Sequence, residues 1–427
     1  MPTSGLCCRF CATPLRHSFA DLGMSPLANA FLTAEELNRG ETFYPLHAYV
    51  CDGCYLVQLG EYAPPAEIFD DYAYFSSVSD SWVDHARRYA DAMIRRLGLG
   101  PAHRVIEVAS NDGYLLQFFQ RAGVGVLGVE PAANVARAAV ARGIPTLVRF
   151  FGLDAARSLA DSGSRADLLV GNNVLAHVPD INDFVAGVRE VLAADGRATF
   201  EFPHLLRLIR ETEFDTIYHE HFSYLSLLAV QRIFAAHRLT VVEVEELPTH
   251  GGSLRVHARR AESAGAIDPS VSRVLEAERS AGLERIETYA AFQRSVVAAK
   301  RELLRFLITA KRQGHSVVAY GAAAKGNTLL NYCGIRNDFL DYVVDRSPHK
   351  QGRFLPGTRL PVCAPERISE TRPDYILILP WNLREEIVRQ MAHVHEWGCR
   401  FVVPIPTARI LEPAVPGHVF AIRRRSA

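Results

Sequence analysis

The stretch Thr216–Tyr224, TIYHEHFSY, sets Tyr218, His219, Glu220 and His221 side by side. Histidine titrates near neutral pH, and a phenol or carboxylate beside it can orient the ring or share its proton. Such density points to general acid–base chemistry. Two other readings compete. His219-x-His221 could chelate a metal, but no third ligand stands at a recognisable spacing and the pattern is not HExxH. Alternatively, the tyrosine is a core residue and the histidines are caps.

Five of the eight cysteines fall before residue 55. Cys8-x-x-Cys11 and Cys51-x-x-Cys54 each offer two thiolates on a tight turn, and two such knuckles complete a tetrahedral sulfur site for zinc. Four filled positions leave no opening for substrate, so a structural ion is expected. Cys7 could replace Cys8 in register, although the two-residue spacing favours Cys8. The plainer alternative is a set of unpaired cysteines in a small core.

A third group needs a scaffold before its chemistry can be read. Arg104–Ala109 has the pattern of a buried strand, followed by the turn Ser110-Asn111-Asp112-Gly113 and a helical stretch from Tyr114 to Ala122. Strand segments at Gly125–Val129, Thr146–Val148, Asp167–Gly171 and Ala198–Glu201 alternate with helical ones. This order predicts a doubly wound parallel sheet, whose ligands bind beyond the carboxyl ends of the strands. Glu107 and Glu130 stand there, with Glu130 17 residues after Gly113 and suited to the ribose hydroxyls of an adenosine cofactor. A dinucleotide needs several glycines in the first turn and no acid facing its pyrophosphate. This turn has one glycine, and Glu107 and Asp112 would repel the anion while suiting a cationic sulfonium. It therefore selects S-adenosylmethionine over NAD, with Ser110, Asn111 and Gly113 lining the turn and Asn172 ending the fourth strand. His177, just beyond in NNVLAHVPD, reads equally as a cap or as a ligand-side group. Phe150 and Phe151 read equally as adenine neighbours or core.

Several segments frame these groups. Asp70–His85, rich in Tyr, Ser and Asp, reads as a surface loop entering a helix near Trp82–Leu97, with Ser79 or Asp80 as cap. A lid carrying Tyr72 or Tyr74 is the functional alternative. His250-Gly251-Gly252-Ser253 precedes a strand at Leu254–Ala258. Apolar residues at helical spacing from Val271 to Arg312 predict one or two long connecting helices. Then SVVAYGAAAKGNTLL repeats the order of HRVIEVASNDGYLL, and DYVVDRSP that of GVLGVEPA. A second Rossmann-like domain is expected, possessing Lys325 in place of the acids and so suited to an anion at a helix N-terminus. Further strands are expected at Phe339–Val344 and Asp374–Leu379.

The chain is thus expected to be α/β in three parts: a small zinc-binding domain (1–70), a Rossmann-like methyltransferase domain (71–260) and a C-terminal Rossmann-like domain with its connecting helices (261–412), the last two related by duplication. With 427 residues, 48% hydrophobic, and Lys+Arg and Asp+Glu both at 47, it has neither the charge for nucleic acid or anionic membrane nor an apolar run of about 20 residues. The N-terminus has no charged-then-apolar signal pattern, and a cytoplasmic monomer is expected.

Together the paired knuckles, EVASNDG, YHEHFSYLS, HGGSLRV and YGAAAKGNTLLN resemble the sugar C-methyltransferases of antibiotic deoxysugar pathways, over nearly the whole chain. The resemblance implies methylation of a carbon beside the keto group of a dTDP-4-keto-deoxysugar, at C-3 by way of an enolate; C-5 or a hydroxyl oxygen is the nearest alternative target. It also implies His221 as base supported by Tyr218 and Glu220, His177 at the rim, Tyr72 as lid tyrosine, and Glu107, Gly113, Glu130 and Asn172 as cofactor residues. Lys325 and Asn327 are the candidates for the nucleotide's phosphates. A non-catalytic zinc- and nucleotide-binding protein is the alternative of a different class.

Overall fold

The computed structural model describes residues 6–62 and 75–412; the two tyrosines expected at the lid, Tyr72 and Tyr74, lie outside them. Contacts group the chain into two compact units, one of Met1–Leu27 with Phe43–Arg294 and the other of Ala28–Thr42 with Ser295–Ala427.

The first unit begins with the two knuckles, which are built alike. After the second cysteine of each, a residue in the left-handed region turns the chain back: Ala12 (φ 59°) and Tyr55 (φ 60°). Their amides donate to the carbonyls of Cys8 and Cys51, both at 2.9 Å. Strands β1 (His17–Ser25), β2 (Tyr44–Val50) and β3 (Val57–Leu59) carry them. Sγ of Cys8 lies 3.5 Å from that of Cys54, and Cys11 3.5 Å from Cys51. All four sulfurs are within 4.8 Å of one another. Tetrahedral zinc with Zn–S near 2.3 Å needs about 3.8 Å between sulfurs, so the donor set fits the ion. Cys7 is exposed and outside the cluster. The Cys8 thiol is pulled well below its ordinary range, first by the hydrogen bond from Cys54 and further by backbone amides and Gln58.

Helix α1 (Asp80–Leu97) starts at Ser79, whose hydroxyl accepts from the Trp82 amide. The sheet follows: β4 (Arg104–Val108), α2 (Leu116–Arg121), β5 (Gly125–Val129), α3 (Ala133–Ala141), β6 (Thr146–Leu147), α4 (Leu153–Asp161), β7 (Ala166–Asn172), α5 (Ile181–Val191) and β8 (Leu192–Pro203). After α6 (Leu205–Arg210) come β9 (Ser223–Tyr224), α7 (Leu227–Ala236), β10 (Leu239–Leu247), β11 (Ser253–Arg260) and α8 (Pro269–Ser280). The spatial order is β6-β5-β4-β7-β8-β11-β10, parallel apart from β11, which runs antiparallel to both neighbours. Under the sheet, Ala86, Tyr89, Ala90 and Met93 of α1 meet Leu115, Leu116 and Phe119 over Val105, Leu168 and Val170. The glutamates of VEVEEL hide β10 in the sequence. In the fold they face outward to arginines, Glu243 to Arg96 and Glu245 to Arg255, while Val241, Val242 and Val244 go inward.

β9 does not join this large sheet. It is the edge strand of the zinc sheet, in the order β1-β2-β3-β9, with Val57 opposite Tyr224 and Gln58 opposite Ser223.

In the second unit, the later part of α9 (Ile286–Arg312) leads to β12 (Val317–Tyr320), α10 (Ala324–Cys333), β13 (Val343–Val344), β14 (Val362–Cys363), α11 (Arg367–Thr371), β15 (Tyr375–Ile378), α12 (Arg384–Gln390), β16 (Arg400–Val403) and β17 (Arg409–Ile410). Its order β14-β13-β12-β15-β16, all parallel, repeats that of β6-β5-β4-β7-β8, and β17 closes the edge antiparallel. The strand expected over 339–344 shortens to two residues, because the Phe339 and Leu340 amides turn back to the Arg336 carbonyl. The acids after the second strands match in detail. Glu130 accepts from the amides of Asn111 and Ala132, and Asp345 accepts from those of Ala322 and Ser347.

Replacing Cys51 by Ser should lower bound zinc from one per chain to well below it, read by metal analysis of the purified protein, and lower the melting temperature, since structural zinc contributes directly to folding. A Cys7→Ser protein should keep both.

Candidate active site

At the carboxyl ends of β4, β5 and β7 the chain winds through Ala109 (φ 53°), Asn111 (φ 50°) and Gly113 (φ 78°). A Cβ at Gly113 would meet Ile144 Cγ1 at 2.9 Å, so only glycine serves there. Ser76 and Ser77 close onto this turn: the Ser76 amide donates to Asn111 Oδ1 at 2.9 Å, and Ser77 bonds Asp112 Oδ2. Arg142 pairs with the same Asp112 oxygen at 3.0 Å. Arg142 and Ser77 thus engage one oxygen of Asp112, while its Oδ1 finds no partner among the described residues.

Glu107 is wholly buried. Burial, then the charges of Glu130 and Asp112, raise its pKa well above the carboxylate range against one hydrogen bond from Tyr114. Burial also raises Glu130, opposed by its two amide donors. Buried side-chain oxygens of Glu107, Ser110, Asp112, Asn172 and Asn173 find no hydrogen-bond partner in the described chain. Each such atom costs about 1–3 kcal/mol. Five of them along one sheet edge mark a place where a ligand rich in donors belongs. The ammonium and ribose hydroxyls of S-adenosylmethionine are donors of that kind, and Glu107 would hold the cationic end. Phe151 packs on Phe184, with ring centroids 5.4 Å apart, while Phe150 is exposed.

Beyond β7, the helical turn Leu175–His177 brings His177 to His221, the ring centroids 4.7 Å apart and nearly perpendicular. His221 hydrogen-bonds through Nδ1 to the Thr216 carbonyl at 2.8 Å. A carbonyl only accepts, so Nδ1 carries the proton and Nε2 of the neutral ring keeps its lone pair. Tyr218 lies against it, centroids 4.0 Å apart. In the whole run Thr212–Val230 only Tyr218 and His221 are not buried. His219 leaves this group: Nε2 bonds the Pro45 carbonyl at 3.2 Å and its ring meets Tyr44. The pair His219-x-His221 therefore cannot chelate one ion. Desolvation pushes His177 down to about 4, and its side chain hydrogen-bonds the Glu220 carbonyl. It is a neutral ring whose N–H already has an acceptor.

One residue that sequence reasoning passed over organises the next part of the rim. Glu201, fully buried near the carboxyl end of β8, accepts from His85 (2.9 Å), Arg255 (2.9 Å) and Thr249 (2.8 Å). Burial alone would raise its pKa, but these partners bring it down to about 2. This carboxylate ties α1 and β11 to the turn carrying His250, whose ring stands edge-on to Trp82. Trp82 in turn stacks on Tyr114 beside the cofactor turn. An acid inside the apolar strand FEFP was the available signal.

In the second unit, Lys325 donates to Asn382 Oδ1 at 2.8 Å and lies over the Trp381 ring. Both partners follow β15, the counterpart of β7, so Lys325 stands at the ligand edge of its sheet. Asn327 does not. It is buried, and its amide bonds the Ala28 carbonyl and Asn331; it fastens the Ala28–Thr42 segment and its expected contact with substrate is withdrawn.

Comparison with known proteins gives matches along the whole chain. Residues 8–69 match a family model described as a zinc binding domain, 82–244 a methyltransferase domain, and 248–406 a C-methyltransferase C-terminal domain. The C-methyltransferase NovU of Streptomyces niveus is 37% identical over 407 residues, 95% of this chain and 96% of its own. Among solved structures, the PH0226 protein of Pyrococcus horikoshii OT3 is similar at 15% identity over 46% of this chain and 97% of that one, with a TM-score of 0.37. Magnesium protoporphyrin IX methyltransferase of Synechocystis PCC 6803 with bound SAM is similar at 16% identity over 46% and 88%, with a TM-score of 0.32.

The raised pKa of Glu107 has a definite sign. Unfolding releases the proton, so the ligand-free fold loses stability as pH rises from the ordinary glutamate range through the folded value. Glu107→Gln should therefore raise the melting temperature of the ligand-free protein at pH 8 more than at pH 4. It should also weaken S-adenosylmethionine and remove the gain in affinity with pH that binding a cation to this acid requires, both readable by calorimetry.

Proposed function

The chain belongs to the sugar C-methyltransferase family and is an S-adenosylmethionine-dependent C-methyltransferase, and we propose that it methylates C-3 of a dTDP-4-keto-deoxysugar with His221 as general base. The observation that carries this reading is the exposure of two side chains alone, Tyr218 and His221, from an otherwise buried run, with the His221 tautomer set by Thr216. A base for a carbon acid needs an unprotonated nitrogen within reach of the substrate's proton.

When bound, the methyl donor supplies an electrophilic carbon on a sulfonium. The C-4 ketone acidifies the C-3 proton. His221 Nε2 takes that proton as the C-3–H bond breaks, its electrons forming the enolate with the negative charge on O-4. Tyr218, on the same side of the buried run, donates a hydrogen bond to this oxygen. His177 does not take that part while its N–H is held by the Glu220 carbonyl; its role is to fix the loop, and Glu220 contributes through this carbonyl. C-3 of the enolate then takes the methyl as its bond to sulfur breaks. Glu107, Glu130 and the 110–113 turn hold the donor on one side and the histidines meet the sugar on the other, so the rate depends on fixing two bound molecules together. Lys325, at the start of α10, is the group for the nucleotide's phosphates.

The parts divide as zinc-bearing (1–70), methyl-transferring (71–260) and nucleotide-holding (261–412). A cytoplasmic monomer remains the proposed state, and no helix among the described residues is long and apolar enough to cross a membrane.

With a dTDP-4-keto-deoxysugar in D2O and no methyl donor, the protein should catalyse exchange at C-3. His221→Ala should bind S-adenosylmethionine as the wild type does but lose both exchange and turnover by about 10²–10⁴-fold; near-normal turnover would remove His221 as the base. Tyr218→Phe should lower kcat about 10²–10³-fold, and exchange at C-5 in place of C-3 would overturn the regiochemistry.

A further inference from the structure

We propose that Arg9, between the two cysteines of the first zinc knuckle, is a positioning residue that clamps the segments bearing His177 and His221 to one another. Its guanidinium makes three contacts. Nη1 donates to the Pro179 carbonyl at 2.6 Å, two residues beyond His177. Nη2 donates to the Leu59 carbonyl at the end of β3, and the Leu59 amide donates to the Phe222 carbonyl at 3.0 Å. Cζ of the cation lies over the ring of Phe222, the residue that follows His221, 5.3 Å from its centroid. A rigid fork with a flat face can hold two carbonyls and a ring at once; a lysine cannot.

The backbone of the same residue is tied to the metal site. The Arg9 amide donates to Gln58 Oε1 at 2.8 Å, and Gln58 Nε2 donates to Cys8 Sγ at 3.1 Å. The carbonyls of Arg9 and Phe10 accept from Asn182 Nδ2 on the first turn of α5, at 3.2 and 2.9 Å. The knuckle is therefore docked on the element that follows Pro179.

The charge needs an account, because no carboxylate among the described residues is within ion-pair distance of Arg9. A zinc ion held by the four thiolates would carry a net charge of about −2 and would supply a counter-charge one residue away. Arg9 would then link the metal site to the spacing of the two imidazoles, where a displacement near 1 Å can cost about 10²-fold in rate.

The test is Arg9→Lys in the full-length, zinc-loaded protein, with the side-chain ¹⁵N–¹H signals of His177 and His221 assigned by single replacement. Expected are one zinc per chain, unchanged S-adenosylmethionine affinity, KM for the keto-sugar within about threefold, kcat lowered about ten- to hundredfold, and both imidazole signals displaced. Wild-type kcat with unmoved imidazoles would overturn the proposal, as would loss of zinc with unmoved imidazoles, which would make Arg9 part of the metal site only. Should Arg9→Lys fail to fold, Phe222→Leu removes just the ring beneath the cation; it should displace the His221 signal and leave that of His177, and no displacement would be equally fatal. The kinetic arm rests on His221 as base, whereas the spectroscopic arm does not. Moved imidazoles in Arg9→Lys together with an active His221→Ala protein would sink the base and leave the clamp standing.

Discussion

An irregular loop can be buried only where each of its backbone amides and carbonyls finds a partner, and the run from Thr212 to Ser226 is such a loop. It satisfies itself in part by short turns, with Glu213 bonded to Leu208, Thr216 to Glu213 and His221 to Tyr218. The remainder comes from outside: β9 pairs with β3 of the zinc sheet, and Leu225 accepts from the Leu205 amide. With the loop closed in this way, two side chains alone reach outward, and the tautomer of one is set by a carbonyl of the loop itself. The small cysteine-bound domain is thereby a structural requirement of the histidine site.

The cofactor side works by the opposite device. There the fold leaves polar oxygens without partners among the described residues and pushes an acid toward its neutral form, a cost that a donor-rich ligand would offset. Asp112 shows how closely this is balanced, since Arg142 and Ser77 neutralise one of its oxygens while Glu107 has only Tyr114. The second unit repeats the strand order and the acid after the second strand; there Asp345 makes the two amide contacts, and Lys350 stands 3.9 Å from it. The same strand order thus carries an acidic cleft in the first unit and a lysine at the corresponding turn in the second.

Most of the regular elements were legible because local pattern and burial agree in them. The parallel strands of both sheets are buried on both faces and read as apolar runs, and the spacing of the knuckles was enough to name the metal and its four ligands. Legibility fell where the partner is distant in sequence. β10 was concealed by its outward glutamates, β13 shortened by a local turn, and the placement of Asn327 inward follows from the Ala28 carbonyl, about 300 positions away, which no local pattern reveals.

The sequence by itself determined the chemistry available to this protein: four thiolates at knuckle spacing, an acid-bearing turn for a sulfonium donor, and a phenol, a carboxylate and imidazoles set close together. Only the tertiary structure decided which of them act together. It turned His219 away to Pro45, joined His177 to the Glu220 carbonyl, made Glu201 the anchor of the rim, and laid Arg9 of the zinc knuckle against Pro179 and Phe222. Residue type and spacing specify what a group can do, whereas its tautomer, charge state and facing are set by neighbours that chain folding brings from far away.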